Sequence, residues 1–390
     1  MPYSPLNRTA MILPADRLLP VLEERIACKQ ELLAERDRRY GCDRIKIFSY
    51  MENIGWPPLF GFDMNRFYSD AAFLVEMELR QRIFWMDNSA GDDLANLQIA
   101  PTTGFYWDIT LFGQKVRTTA EGVPEFEPHP LSARPDINLL GSFDFRTSGD
   151  MPILLRQHTE MQKLNRERYG GKLAIAFPRF LRGPLELAIQ LRGYENFIGD
   201  IMEAPDFAHS LFDFLVCERN RWNRERAAYL GENHPGASTF IADDWLNPPF
   251  ISPAIFDEYA LPAFLKIQEN EGPVIGFHTC GPMAPFVRQM LAAFPKMEWL
   301  DVSGWNDFEE LDRLVDPKIR FLLQMKNTFV LCASVAEHRA LLEKIRRLAE
   351  RRPVSICAQA IVKLHESYEE DLGRMNRFLE LARDIFSSPS

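Results

Sequence analysis

The stretch PVIGFHTCGPMAPFVRQMLAAF, residues 273–294, contains the repeating unit that decides the fold. Its first eight residues are mostly apolar and do not alternate with polar ones, which predicts a strand buried on both faces. The residues after the Gly-Pro break have the spacing of an amphipathic helix. Because an apolar strand followed by a helix recurs through the C-terminal two thirds of the chain, the sequence predicts a parallel sheet covered by helices.

Eight segments of the chain have the composition of buried strands. They span residues 44–50, 94–101, 173–178, 238–244, 273–280, 298–304, 319–325 and 353–359. Eight strand–helix units predict an α/β fold of the (β/α)8 TIM-barrel type, whose active sites lie at the C-terminal ends of the strands. A doubly wound open sheet is the alternative. Such sheets usually have a glycine-rich first turn, and the sequence contains no GxGxxG or Walker-type loop.

Two parts of the chain lie outside these eight units. Residues 1–43 predict an N-terminal helical layer. Residues 104–135 alternate, are rich in threonine and glycine and end in prolines, so they predict a β-hairpin insertion. Since there is no internal repeat and no linker long enough to divide the chain, we expect residues 1–390 to form a single TIM-barrel domain. The clearest expected helix start is at Ser252-Pro253, an N-cap and N1 pair.

Composition excludes several classes of partner. The formal net charge is −10 with basic residues interspersed among acids, which argues against a nucleic-acid partner. No apolar run approaches the ~20 residues that span a bilayer, so we expect no membrane association. The N-terminus lacks the continuous apolar segment of a signal peptide, which favours the cytoplasm. In that compartment scattered cysteines are expected to be thiols or metal ligands: Cys28, Cys42, Cys217, Cys280, Cys332 and Cys357.

A histidine and two cysteines form the candidate metal site. His278 and Cys280 lie two apart at the end of a predicted strand, so their side chains point to the same side. Cys357 lies at the end of the eighth predicted strand, and the ends of the fifth and eighth strands open onto the same barrel mouth. Zinc favours such nitrogen and sulfur ligands, and a catalytic zinc keeps one position open. The alternative is that these are a buried cysteine and an ordinary histidine.

Longer stretches around these residues resemble a known family. They are RGPLELAIQLRGYENFIGDIMEAPDF (182–207), FIADDWLNPPFISPAIFDEYALPAFLKI (240–267) and LQMKNTFVLCASVAEHRALLEKIRRL, which contains Asn327. With His278-x-Cys280 and Cys357, they resemble the uroporphyrinogen decarboxylase superfamily, in particular its zinc-dependent, corrinoid-linked methyltransferase branch. The resemblance covers roughly residues 150–385. The chain departs from the family in the Ser-Ile-Cys-Ala-Gln around its last cysteine.

The resemblance implies a function. Zinc would be bound by His278, Cys280 and Cys357, and a corrinoid (cobalamin) would be carried by a partner protein. The chain would move a methyl group between a small molecule and the corrinoid cobalt, as in O-demethylase methyltransferases. A methoxylated aromatic or similarly apolar methyl donor is the expected substrate, and a homodimer is one expected assembly.

Three alternatives stay open. They are a thiol-directed methylcobamide methyltransferase, a metal-free lyase of the uroporphyrinogen decarboxylase type, and a non-catalytic protein with a closed zinc site. The lyase needs arginines at the mouth, and the sequence offers Arg179 and Arg182. It also lacks the Arg-Gln-Ala-Gly-Arg-Tyr motif of true uroporphyrinogen decarboxylases near the N-terminus, which argues against porphyrinogen decarboxylation.

Two carboxylates are candidate catalytic groups. Asp243 and Asp244 end the fourth predicted strand, and as neighbours at most one of them points at the mouth. A carboxylate there could orient the substrate, assist proton transfer or bind the second nitrogen of His278. The alternative is a helix cap or a surface salt bridge.

Further residues are candidate substrate contacts. The aromatic side chains could line an apolar pocket or belong to the core. Arg179 could pair with a carboxylate or a sulfonate, and Glu52 could contact the substrate or act as a fourth metal ligand. The complete set of predicted contacts is Tyr50, Glu52, Trp56, Trp107, Arg179, Gln324 and Asn327.

Overall fold

The computed structural model describes residues 5–41 and 45–387. Cys42 and the first residue of the strand predicted from residue 44 lie outside the described residues. The described strands are β1 (Lys46–Met51), β2 (Gln98–Ile99), β3 (Val116–Thr118), β4 (Pro124–Phe126), β5 (Ala174–Ile175), β6 (Thr239–Ala242), β7 (Val274–Thr279), β8 (Trp299–Val302), β9 (Arg320–Met325) and β10 (Val354–Ile361).

Eight of these strands form the wall of a TIM barrel. Six of them pair in parallel in the order β1-β10-β9-β8-β7-β6, and β2 pairs in parallel with β5. The chain after β5 reaches β6 through a parallel bridge between Arg182 and Ala242. All eight strands predicted from the sequence therefore occupy barrel positions, and the predicted fold class is confirmed.

The loop after α5 binds the backbone of β1 where no described strand pairs with it. Among the described residues no ladder hydrogen bonds join β1 and β2. Asp92 Oδ2 instead accepts a hydrogen bond from the amide of Ile47 at 3.1 Å, and Asp93 Oδ1 accepts one from Ser49 at 2.9 Å. Carboxylates thus satisfy β1 amides that a neighbouring strand would otherwise bind.

Helices surround the barrel. They are α1 (Thr9–Ile12), α2 (Leu18–Tyr40), α3 (Trp56–Phe60), α4 (Met64–Ser69), α5 (Ala71–Asn88), α6 (Trp107–Thr110), α7 (Met151–Arg168), α8 (Pro184–Arg192), α9 (Tyr194–Glu203), α10 (Pro205–Leu230), α11 (Pro253–Ile255), α12 (Leu261–Glu271), α13 (Val287–Ala293), α14 (Phe308–Leu314), α15 (Asn327–Cys332), α16 (Val335–Ala349) and α17 (Tyr368–Ser387). Short 3₁₀ segments span Ala15–Arg17, Asn53–Gly55 and Ile137–Leu139. Among the described residues, no helix is both long and apolar enough to cross a bilayer.

The helix start predicted at Ser252-Pro253 is confirmed. The Ser252 side chain accepts a hydrogen bond from the Ile255 amide and caps α11. A π-helical segment, Phe256–Ala260, then separates α11 from α12. Pro262 lies in the first turn of α12 and has no amide hydrogen. A regular helix would therefore lack a hydrogen bond at this point, and the wider turn lies directly before it.

Several elements are shorter than the sequence predicts. The strands β2 and β5 have two residues each, where eight and six are expected. Pro101 and Pro178 follow them closely, and a residue without an amide hydrogen cannot extend a ladder. The predicted hairpin is present as β3 and β4, which pair antiparallel. The N-terminal part of the same stretch instead forms α6.

Strand register aligns His278 and Asp301 with two apolar neighbours on the lumen of the barrel. Ala242 of β6 pairs with His278 of β7, which pairs with Asp301 of β8, and Asp301 pairs with Leu322 of β9. Paired residues in a parallel sheet point to the same face. This row of side chains lies near the C-terminal ends of the strands, where barrel active sites are built.

Candidate metal centre and active-site cavity

His278 is held by a carboxylate on the neighbouring strand. Its Nδ1 lies 2.8 Å from Oδ2 of Asp301. Because a carboxylate only accepts hydrogen bonds, Nδ1 donates, and Nε2 of the neutral ring is left with a lone pair. A histidine oriented in this way is typical of metal ligands.

Two further ligand atoms face Nε2 of His278. Asp244 Oδ1 lies 3.1 Å from it and Cys280 Sγ lies 3.6 Å from it. The three atoms all lie within 4.8 Å of one another. Around a tetrahedral zinc, bonds of about 2.0 Å to nitrogen or oxygen and about 2.3 Å to sulfur place ligand atoms about 3.3–3.6 Å apart. The observed spacing therefore suits one metal ion.

The electrostatics of this group favour a cation. Burial by itself lowers the pKa of His278, but the carboxylates of Asp244 and Asp301 and the contact with Cys280 raise it to about 12. Burial raises the pKa of the Cys280 thiol, and His278 partly offsets that rise. Two carboxylates on either side of one imidazole stabilise positive charge at this point, whether it is a proton or a metal ion.

The side chain of Asp243 points away from that of Asp244 and binds backbone amides of a helix. It is fully buried, and its Oδ2 accepts hydrogen bonds from the amides of Leu185 at 3.1 Å and Glu186 at 3.3 Å. These amides open α8, so the carboxylate satisfies donors at a helix N-terminus. A Cβ on Gly183 would lie 2.1 Å from Asp243 Oδ2, which explains the glycine. Of the two neighbouring aspartates, only Asp244 reaches the metal candidate.

Cys357 faces the same lumen from β10, which lies three strands away from the β7 strand of His278. Leu322 pairs with Ser355, and Cys357, two residues further, pairs with Gln324. Alternation therefore turns the thiol to the lumen side that His278 and Leu322 share. Its sulfur is not among the three ligand atoms that lie within 4.8 Å of one another. Burial raises the pKa of this thiol, and so do the charges of Asp93 and Asp301.

A cavity of about 770 Å³ opens beside the three candidate ligands. Asp244, His278 and Asp301 line one wall of it. Phe240 and Trp299 lie one row deeper, with ring centroids 5.6 Å apart, and give it an aromatic floor. A Cβ on Gly276 would lie 2.0 Å from the Trp299 ring, so only glycine admits the indole there. A cavity of this size accommodates a small organic molecule.

The residues predicted to contact the substrate do not all line the same cavity. Trp107 and the exposed Arg179 line the large cavity. Tyr50 and Trp56 line a separate cavity of about 260 Å³, and Glu52 lines neither cavity in the part of the chain that the structure describes. Tyr50 and Trp56 therefore do not share the cavity of the metal candidate.

The side-chain oxygens of Gln324, in β9, and Asn327, at the start of α15, lie in the interior. Gln324 is buried and Asn327 is half-buried. The side-chain oxygens of both are buried without a hydrogen-bond partner among the described residues. A buried acceptor of this kind is costly unless a donor reaches it, so both remain candidates for polar substrate contacts.

A buried ion cluster supports the wall of the cavity. Arg182 Nε lies 3.0 Å from Asp108 Oδ1, and its guanidinium also pairs with Glu186. Glu186 Oε2 in turn accepts a hydrogen bond from the backbone amide of Asp244 at 3.2 Å. The cluster thus connects the insertion, α8 and the carboxylate that faces the metal candidate.

Three residues that support the candidate site were not identified from the sequence alone. Asp301 had a usable signal, since it is the one charged residue inside the apolar segment WLDVSG and its register places it beside His278. Asp108 and Glu186 had none, because their role depends on contacts with Arg182 that no local pattern encodes.

Comparisons with known proteins show what this chain is similar to in sequence and in fold. A sequence model described as "Uroporphyrinogen decarboxylase (URO-D)" matches residues 105–347, more than half of the chain. Among solved structures, a methyltransferase from Methanosarcina mazei has a similar fold, with a TM-score of 0.58 over 89% of this chain and 95% of that chain. The two are 16% identical, so this likeness shows the fold alone. The sequence has no significant match among the curated proteins.

Proposed function

Because the chain belongs to the uroporphyrinogen decarboxylase family, we propose that it is a zinc-dependent methyltransferase of that superfamily. It moves a methyl group between a small molecule and the cobalt of a corrinoid carried by a partner protein in the cytoplasm. A methoxylated aromatic or similarly apolar molecule is the methyl donor. The observation that carries this proposal is the arrangement of His278, Cys280 and Asp244 around one point at the cavity wall.

The residues present fit zinc. Asp244, His278 and Cys280 provide a carboxylate, an imidazole and a thiol whose ligand atoms lie within 4.8 Å of one another, and Cys357 on the same lumen face would add a second sulfur. When bound, the zinc would act as a Lewis acid on the oxygen or sulfur that releases or accepts the methyl group. Asp301 fixes the His278 ring through Nδ1 and leaves Nε2 for the ion. The carboxylates around His278 favour a cation at this position.

The cavity supports a small, largely apolar substrate. Phe240 and Trp299 form its floor, Leu322 belongs to the same lumen face as His278, and Trp107 contributes another aromatic wall. A methoxylated ring placed on this floor would have its oxygen near the ligand group. The mouth above faces outward at the C-terminal ends of the strands, where a corrinoid on another protein could approach.

The lyase alternative is weakened by the fate of its arginines. Arg182 is buried and already paired with Asp108 and Glu186, so it is not free to bind a substrate carboxylate. Arg179 remains exposed at the cavity. A decarboxylase that must hold several carboxylates would need more unpaired cations than this wall offers.

Removing the Asp301 side chain tests its support of the metal ligand. Asp301→Ala is expected to lower zinc affinity about 10- to 100-fold, because the His278 ring loses the group that fixes its orientation. Asp301→Asn should cost less, since its amide oxygen can still accept the Nδ1 hydrogen. Competition with a chromophoric chelator measures both affinities. Equal affinities of wild type and Asp301→Ala would contradict this role.

Methyl transfer to free cobalamin tests the function directly. The full-length protein is mixed with cob(I)alamin and a panel of methoxylated aromatics, methylamines and methyl thioethers, and the cobalt spectrum is followed. We expect methylcobalamin to form with a methoxylated aromatic, and the reaction to stop after chelation of zinc or in His278→Ala. Formation only from methyl thioethers would favour the thiol-directed alternative. Transfer that survives complete removal of zinc would contradict the proposal.

A further inference from the structure

We propose that Asp244 is the fourth ligand of the zinc site in the substrate-free protein and gives up that position to the donor atom of the substrate. This inference rests on the proposed function. It supplies a group that the sequence left open, for which Glu52 was a candidate. Glu52 does not belong to the group of ligand atoms that lie close together, whereas Asp244 does.

The position of the Asp244 carboxylate is that of a ligand. Its Oδ1 lies 3.1 Å from Nε2 of His278, the nitrogen that is left free by Asp301. Although the two atoms are close, Oδ1 is buried and has no aligned hydrogen-bond partner among the described residues. A buried carboxylate oxygen beside an imidazole nitrogen and a thiol is satisfied by a shared metal ion.

The backbone of Asp244 is fixed while its side chain borders open space. Its amide donates to Glu186 Oε2 at 3.2 Å, and its carbonyl accepts from Asn247 Nδ2 at 2.7 Å. The side chain lines the large cavity and is about three tenths exposed (29%). A rotation about its side-chain bonds can therefore move the carboxylate off the ion without moving the strand.

Two of the other ligands, His278 and Cys357, lack this freedom. His278 is held through Nδ1 by Asp301, and Cys357 is buried in β10. Asp243, the chemically identical neighbour, is held by two helix amides and does not reach the site. Of the three clustered candidates, Asp244 and His278 line the cavity and Cys280 does not, and His278 is held by Asp301, so Asp244 is the one free to move into the cavity. A catalytic zinc needs one exchangeable position, and Asp244 occupies it until substrate arrives.

Cobalt(II) substitution of the full-length protein tests this assignment. The d–d absorption bands report coordination number, and the sulfur-to-cobalt charge-transfer bands report the cysteines. In Asp244→Ala and Asp244→Asn we expect the d–d bands to shift while the charge-transfer bands stay. Azide serves as a probe donor. It should perturb the d–d bands of Asp244→Ala at a concentration at least about tenfold lower than it does in wild type, because no carboxylate competes for the position.

The outcomes separate this inference from the proposed function. Asp257→Ala, which removes an exposed carboxylate on the outer surface, is the matched control and should behave as wild type. Identical d–d spectra and azide responses in wild type and both Asp244 variants, with charge-transfer bands present, would overturn the role of Asp244 alone. Wild type without charge-transfer bands would overturn the cysteine-ligated site and this inference together.

Discussion

Replacing Cys280 with serine is expected to lower the zinc affinity of the protein about 10²- to 10³-fold. Structural zinc sites in zinc-finger peptides have binding free energies of about 10–16 kcal/mol, so on that scale one of four ligands contributes about 2.5–4 kcal/mol. A serine hydroxyl at this position is a poor substitute for a thiolate. Cys280 Sγ lies 3.6 Å from Nε2 of His278. Two atoms bound to one tetrahedral zinc ion, a nitrogen and a sulfur, would lie about 3.5 Å apart.

Zinc content after dialysis against a weak chelator measures the effect. Cys217→Ser removes an exposed thiol on the outer helix α10 and is the matched control. It should keep its zinc, while Cys280→Ser and Cys357→Ser should lose it. Retention of zinc at wild-type affinity in both site variants would show that these cysteines do not bind the metal.

Replacing Arg182 with methionine is expected to lower the free energy of unfolding by about 3–5 kcal/mol. The Arg182 side chain is 3% exposed and neutralises Asp108 and Glu186, which are each 6% exposed. Methionine fills much of the space but leaves two buried carboxylates without a cation. Since Glu186 also holds the amide of Asp244, the metal site should weaken in the same variant.

Urea unfolding followed by circular dichroism measures the loss of stability. Arg179→Met, three residues away at an exposed position, changes the same residue type outside the cluster. Its unfolding free energy should change by no more than about 0.5 kcal/mol. If both variants unfold at the same urea concentration, the buried cluster does not stabilise the wall as described.

The barrel could be predicted because its signals are local. Apolar strands without alternation and the helices between them are visible in the sequence, and the eight positions follow. The family resemblance is confirmed in the same way, by stretches that match over residues 105–347. The short lengths of β2 and β5 had a signal in Pro101 and Pro178, which the predicted segments included, but the exact residues at which neighbouring strands stop pairing had none. The binding of β1 amides by Asp92 and Asp93 is likewise a tertiary contact.

The site was predictable where strand position determines direction. His278 and Cys280 lie two apart at a strand end, and the same rule separates Asp243 from Asp244. The aromatic contacts were harder, because Tyr50 and Trp56 lie beside the first strand but line a different cavity. Composition shows that aromatic residues are near a strand end, but not on which side of the barrel wall they pack.

X-ray absorption at the zinc edge of the purified protein tests the central claim most directly. With His278, Cys280 and Cys357 as ligands, the first shell should contain two sulfur atoms at about 2.3 Å and nitrogen or oxygen at about 2.0–2.1 Å. Cys280→Ser and Cys357→Ser, loaded with excess zinc, should each retain one sulfur. A protein that binds no zinc, or a shell of nitrogen and oxygen alone, would contradict the account.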